Sequence, residues 1–157
     1  MYRWDYKKIQ DKLSKKKDPQ YKRPEEKNVE FEREVLEVFG AIKVANKYHG
    51  TDCMPVDGYR ERRDDDGNLI GVDVFGCSLK TSITNSGKGL FISRGNVDAA
   101  HMLKDHVDHY YFIYGLPNGQ WVYVDLLDEL KYNAPMEILN NSWGIHVDHN
   151  RWKRMME

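Results

Sequence analysis

The chain has only two cysteines, Cys53 and Cys77. That excludes a disulfide-rich scaffold and a four-cysteine zinc site. No stretch approaches the roughly 20 consecutive apolar residues of a membrane span, so no membrane partner is expected. The opening Met1-Tyr2-Arg3-Trp4-Asp5 has no apolar signal core, and a cytoplasmic protein is expected on that ground. There is no internal repeat. Net charge is almost absent, with 24 Lys+Arg against 25 Asp+Glu. With 40% hydrophobic and 31% charged residues, the chain is globular rather than disordered. Its 157 residues suit one domain with a core of useful size.

The near-zero total conceals a separation of charge. Residues 1–28 hold ten Lys/Arg and five Asp/Glu, a net of +5, which leaves −6 on the remaining 129 residues. A basic arm precedes an acidic body. The arm carries Lys15-Lys16-Lys17, with Tyr2, Trp4, Tyr6 and Tyr21 close by. Lysines neutralise phosphates and release counterions, and aromatic rings stack on unpaired bases. A solvated tail anchored by its rings is the plainer reading of the same residues. Asp5 can cap a short helix, with Tyr6, Ile9 and Leu13 on one face. Asp18-Pro19 stops it, and residues 18–28 read as a linker.

The body, residues 29–157, reads as helix, four strands, helix, two strands. Asn28 caps a helix over 29–40, with Phe31, Val35, Val38 and Phe39 as its apolar stripe. Gly40 ends it. Strands follow at 41–45, 50–60 and 69–82, the last two joined by the turn Asp64-Asp65-Asp66-Gly67-Asn68. Residues 90–93 form a short strand. A helix over 96–107 is capped by Asn96, with Val97, Ala100 and Leu103 or Met102 facing inward. Strands at 110–114 and 120–125, a short helix at 126–132 and a strand at 143–147 complete an α/β (α+β) fold, a mixed central sheet flanked by helices.

The 50–80 hairpin carries the chemistry. A turn centred near 65–66 pairs residues whose numbers sum to about 130, so Asp52 faces Ser78 and Cys53 faces Cys77. Alternation then puts Asp52, Ser78 and Lys80 on one face, and Phe75, Cys77 and Leu79 on the core face. A carboxylate can hold Mg²⁺, a lysine can orient a water or steady a phosphate, and the helix 29–40 offers a second carboxylate. Together these are the parts of metal-assisted phosphodiester hydrolysis. Asp57 and Asp73 compete for the carboxylate role, but the same alternation points them the other way and makes them surface or strand-end residues.

The segments Phe31-Glu32…Val35-Leu36…Phe39-Gly40, Gly50-Thr51-Asp52 and Cys77-Ser78-Leu79-Lys80-Thr81 resemble the PD-(D/E)XK nuclease superfamily, across residues 29–125. That family includes restriction enzymes and Holliday-junction resolvases. The resemblance implies a restriction-endonuclease-like fold and an endonuclease that cuts DNA with Mg²⁺ or Mn²⁺. By position Glu32 matches the helix Glu, Asp52 the metal-binding Asp at a strand start, and Lys80 the catalytic Lys. Glu32, Asp52 and the Leu79 carbonyl are then the expected metal ligands, with Lys80 orienting the attacking water. The position two before Lys80 is Ser78, where the family has Asp or Glu, so Ser78 is left to assist by hydrogen bonding. A chain of this fold that binds nucleic acid without cutting it is the alternative. Lys15, Lys16, Lys17, Lys88 and Arg94 are the expected DNA-backbone contacts. The family also implies a homodimer, and a small nuclease with a basic arm suits a phage or mobile element. A third reading is an interaction protein whose arm binds a partner chain.

The remaining signals point elsewhere. His101, His106 and His109 are closely spaced, but solvated or capping histidines explain them better than zinc. The loop Thr84–Gly89 lacks the P-loop pattern. Arg151-Trp152-Lys153-Arg154 reads either as an extension of the DNA surface or as a frayed end.

Overall fold

The computed structural model describes residues 26–43, 56–80, 89–132, 134–139 and 142–154, with side chains from residue 29 onward. The first helix, α1, spans Glu26–Phe39. It starts before the expected Asn28 cap and ends where expected. Gly40, at φ 65°, donates to the Glu37 carbonyl, and Ala41 donates to that of Leu36. This pair of bonds satisfies two carbonyls of the last turn and needs a left-handed residue, which is glycine's role here. The buried face differs from the expected one. Phe31, Val35 and Leu36 are buried, while Val38 is 61% exposed. The stripe follows the i, i+4, i+5 positions of a helix lying flat on a sheet.

Strand β1 is Ile42–Lys43, β2 is Gly58–Arg63 and β3 is Leu69–Leu79. The turn between β2 and β3 is built by Asp64. Its carboxylate accepts from the backbone N–H of Asp66 and Asn68, and Gly67 sits at φ 84°. Those bonds hold the Asp64 carboxyl below the usual carboxylate range. A bulge separates Arg62 from Arg63, and the pairing beyond it joins Gly58 to Phe75, Tyr59 to Val74 and Arg60 to Asp73. The partners therefore sum to 133 rather than about 130. Arg63 pairs with Leu69, so the turn is centred at 66; the bulge, whose extra residue is Ile70, adds the last odd step, and an odd shift reverses which way each β2 residue faces.

Strand β4 is Leu90–Ser93, and helix α2 is Arg94–Leu103. The helix begins two residues earlier than expected, with Ser93 rather than Asn96 at the cap position. Asn96 instead donates from its amide to the Ser93 hydroxyl. Leu103 faces inward and Met102 is 62% exposed. Strand β5 is His109–Gly115, β6 is Trp121–Asp125 and helix α3 is Leu126–Leu130. Strands β7, Glu137–Leu139, and β9, Lys153–Arg154, were not expected. Strand β8 is Ser142–Val147.

The architecture is mixed α+β, with a central, mostly antiparallel sheet flanked by helices. Its order is β1-β2-β3-β5-β6-β9, and β4-β8-β7 form a second, smaller sheet. The one parallel pair is β3 with β5; the chain between them runs through β4 and α2, as a parallel crossover requires. Alternation along β3 divides the core. Phe75, Cys77 and Leu79 pack under α1 with Phe31, Val35, Leu36 and Ile113. Val74 lies on the other face, with Tyr110, Phe112, Tyr114, α2 and the small sheet. The expected core face of β3 is the observed one.

The last described residues are tied down. Trp152 is buried, donates its indole N–H to the Val147 carbonyl at 3.1 Å, and packs on Tyr114. Arg151 pairs with Glu129, and β9 closes the sheet against β6. The Arg151–Arg154 cluster is therefore built into the fold and is not a frayed end.

Candidate metal centre

Two of the aspartates read as surface or strand-end residues are buried. Asp73 is 0% exposed and Asp57 is 3% exposed. Their roles differ. Asp73 is structural: its Oδ2 accepts from Arg60 Nε at 3.1 Å, Arg60 Nη2 at 2.7 Å and Arg62 Nε at 3.0 Å. Arg60 also donates to the Phe39 carbonyl, locking the end of α1 to the hairpin. A carboxylate can sit fully buried here because two guanidinium groups cover it.

Asp57 belongs to a site. It lies immediately before β2, where its N–H donates to the Phe75 carbonyl. Its Oδ2 accepts from the Cys77 N–H at 2.7 Å. A carboxylate oxygen of Asp57, one of Glu32 and the Cys77 sulfur all lie within 4.8 Å of one another. The three residues come from three places: the second turn of α1, the entry to β2 and the last third of β3. Glu32 is there because Phe31, beside it, is drawn into the sheet. Its side chain is 17% exposed, with the Lys43 ammonium 4.0 Å away.

The expected site residues divide as follows. Glu32 is brought into the cluster. Ser78, Leu79 and Lys80 follow Cys77 directly along β3. The Lys80 N–H donates to the Gly115 carbonyl, and its ammonium lies 4.6 Å from the centre of the Tyr114 ring. Tyr114 belongs to the core opposite Cys77, so the Lys80 side chain extends on the other face of the sheet. Burial pulls the Lys80 ammonium below the ordinary lysine value. Burial also raises the hydroxyl of Tyr110 well above its usual range, with the negative charge of Asp57 adding to the effect.

Asp52 and Cys53, Lys15, Lys16, Lys17 and Lys88 lie outside the described residues. Arg94 is exposed at the start of α2, 3.4 Å from Asp98, beside a shallow groove lined by Val97, His101, Met136 and Trp143. His109 begins β5, as expected, and its Nδ1 meets Asp125 Oδ2 at 2.7 Å. Among the described residues, no group of three potential metal ligands includes a histidine.

Asp57 was missed because the expected strand began at 50 and the assumed register was even. The observed strand begins at Gly58. Asp57 therefore occupies the strand-entry position that the resemblance assigned to Asp52. The signal was present as Val56-Asp57-Gly58, an apolar residue and an acid just before a glycine that α1 can approach closely. A Cβ on Gly58 would lie 2.5 Å from Leu36 Cδ2.

No helix among the described residues is long and apolar enough to cross a membrane. No protein-family model matches the chain, and no curated protein matches it. Among solved structures the chain is similar to Hjc, a Holliday junction resolvase from the archaeal hyperthermophile Archaeoglobus fulgidus. The two share 16% identity over 78% of this chain and 88% of that one, with a TM-score of 0.48. At that identity and score the likeness assigns neither family nor activity.

Proposed function

We propose that the chain is a metal-dependent endonuclease that hydrolyses DNA phosphodiester bonds. The observation that carries this is the meeting of Glu32 and Asp57 beside β3, on the strand that continues into Ser78-Leu79-Lys80. Two carboxylates from different elements supply the hard oxygen donors that Mg²⁺ or Mn²⁺ takes, so the residues present fit a divalent cation. When bound, such an ion polarises the phosphate and acidifies a water. Asp57 is held by the Cys77 N–H, which fixes its orientation before any cation arrives. Lys80 ends the same strand but extends on the other face of the sheet, over Tyr114, where its ammonium is suited to steady a DNA phosphate rather than a water at the cation. The basic arm and Arg94 supply phosphate contacts that the acidic body lacks.

The test is cleavage of supercoiled plasmid and of a branched DNA with Mg²⁺, Mn²⁺ or EDTA. Wild type is run beside Glu32→Gln, Asp57→Asn, Asp52→Asn and Lys80→Ala. Metal-dependent cutting should fall on the order of 100-fold or more in Glu32→Gln and Asp57→Asn, and by less in Lys80→Ala. Asp52→Asn separates the two assignments of the strand-entry acid. A loss there with Asp57→Asn unaffected would move the centre to Asp52. Ser78, which stands where the resemblance expects an acid, favours a second reading, a binding module of the same fold. No cutting by wild type, with DNA binding that weakens steeply in salt and on removal of residues 1–25, would put that reading first.

A further inference from the structure

We propose that Cys77 supplies a sulfur ligand at the Glu32–Asp57 centre and gives it a preference for a borderline transition ion of the Zn²⁺ or Co²⁺ class over Mg²⁺. The inference rests on the metal-binding part of the function proposed above and extends it to the identity of the ion.

The geometry comes first. Around a four-coordinate ion, oxygen and sulfur ligands stand about 3.5 Å apart. The three donor atoms already lie within 4.8 Å of one another, so closure asks for roughly 1 Å of side-chain adjustment. Cys77 carries a thiol and is only partly buried. The same residue presents the sulfur from its side chain and holds Asp57 from its backbone at 2.7 Å. A cation that draws in one of these two ligands therefore finds the other already placed.

The chemistry sets the preference. Mg²⁺ demands oxygen donors and loses its waters reluctantly, so a thiol in its shell is a wasted position. Affinity for mixed oxygen and sulfur donors rises through the divalent series from Mn²⁺ towards Co²⁺ and Zn²⁺. Binding through sulfur releases the thiol proton to solvent, so the ligand set becomes two carboxylates and one thiolate. Three negative charges balance a divalent ion together with the nearby Lys43 ammonium.

The experiment is a titration of the metal-stripped, full-length chain with CoCl₂, read by the near-ultraviolet sulfur-to-cobalt charge-transfer band. The band should appear and saturate, be bleached by ZnCl₂, and resist MgCl₂ at equal concentration. It should disappear in Cys77→Ser and survive in Cys53→Ser. Co²⁺ affinity should fall at least roughly tenfold in Cys77→Ser, with Mn²⁺ affinity changed by less than about threefold. Glu32→Gln, which leaves the core untouched, should weaken Co²⁺ while leaving the band's sulfur character intact.

A wild-type protein that binds Mn²⁺ but gives no band with Co²⁺ overturns the proposal, whatever the variants do. So does a band that survives Cys77→Ser, or Co²⁺ affinity indifferent to Glu32→Gln. The two readings fail separately. A Cys77-dependent band without DNA cleavage upholds the sulfur ligand and removes the nuclease. Mg²⁺-dependent cleavage without a band does the reverse.

Discussion

Replacing Asp73 by Asn tests the ion-pair network that ties the hairpin to α1. Asn keeps the shape and one acceptor oxygen but removes the charge, leaving Arg60 and Arg62 without the shared anion that balances them. Breaking a buried ion pair from one side costs about 3–5 kcal/mol. Here the arginine side chains are 28% and 37% exposed while Asp73 is 0%, so the guanidinium groups can turn partly to water. Arg62 also keeps Asp108, at 2.9 Å. The cost should therefore fall at about 2–4 kcal/mol. For a chain of this size each kcal/mol lowers the melting temperature by about 2–4 °C, so a drop of roughly 6–12 °C is expected for a 3 kcal/mol loss. Urea unfolding followed by circular dichroism, with calorimetry alongside, measures it. The triple variant Asp73→Leu, Arg60→Met, Arg62→Met should lie closer to wild type than Asp73→Asn does, because no charge is then left stranded. A loss below about 1 kcal/mol in Asp73→Asn would refute the assignment of Asp73 as a buried, charge-paired anchor.

Three further outcomes follow from the geometry. Leu36→Ala should cost about 2–5 kcal/mol and Val38→Ala within about 0.5 kcal/mol of nothing, both by urea unfolding; equal effects would refute the observed helix face. Gly144→Ala should destabilise by about 1–3 kcal/mol, because its Cβ would stand 2.2 Å from the Ile92 carbonyl oxygen, between two strands. Lys80 is held below its ordinary value by burial, so it binds fewer protons folded than unfolded between the two values. Its contribution to stability rises with pH across that window and is lost as pH falls through the folded value. Urea unfolding of wild type against Lys80→Ala across that window reads this directly.

Much of the fold was legible because it is written in periodicity. Phe31, Val35 and Phe39 mark α1, the alternation through Phe75, Cys77 and Leu79 marks β3, and the run Tyr110–Tyr114 marks the strand beside it. These patterns follow from burial on one face or both, which a single sequence displays. What was not legible has a common physical origin. Val38 against Leu36, and Met102 against Leu103, are choices between neighbours on a helix of about 3.6 residues per turn. They are decided by what the helix lies on. Strands β7 and β9 are only three and two residues long, too short to show an alternation, and the partner of β9, β6, is distant in sequence. The burial of Trp152 depends on Tyr114 of β5 being there to pack against, a tertiary fact with no local signature.

The candidate site turned on one bulge. With partners summing to an even number, Asp57 lies opposite Asp73 and reads as one of two stray acids on the wrong face. With the observed sum of 133, the position opposite Asp57 becomes Gly76, whose neighbour Cys77 reaches back through its N–H to the Asp57 carboxylate. The composition of the Asp64–Asn68 turn predicts a hairpin but does not count the extra residue, Ile70, that β3 carries opposite Arg62 and Arg63. That residue also separates two kinds of buried acid. Asp73 lies across from Arg60 within the ladder and is consumed by ion pairing, while Asp57 lies just past the end of the ladder, at the sheet margin that Glu32 of α1 overlooks. The same offset thus makes one aspartate structural and leaves the other where a cation can be held. Swapping their surroundings gives the last prediction. Deleting Arg63, which lies across the ladder from the bulged Ile70, should move each β2 residue beyond it by one place, bring Asp57 into the ladder opposite Phe75 and abolish Co²⁺ and Mn²⁺ binding together. Retained metal binding in that deletion, with the fold intact by circular dichroism, would refute the view that register creates the site.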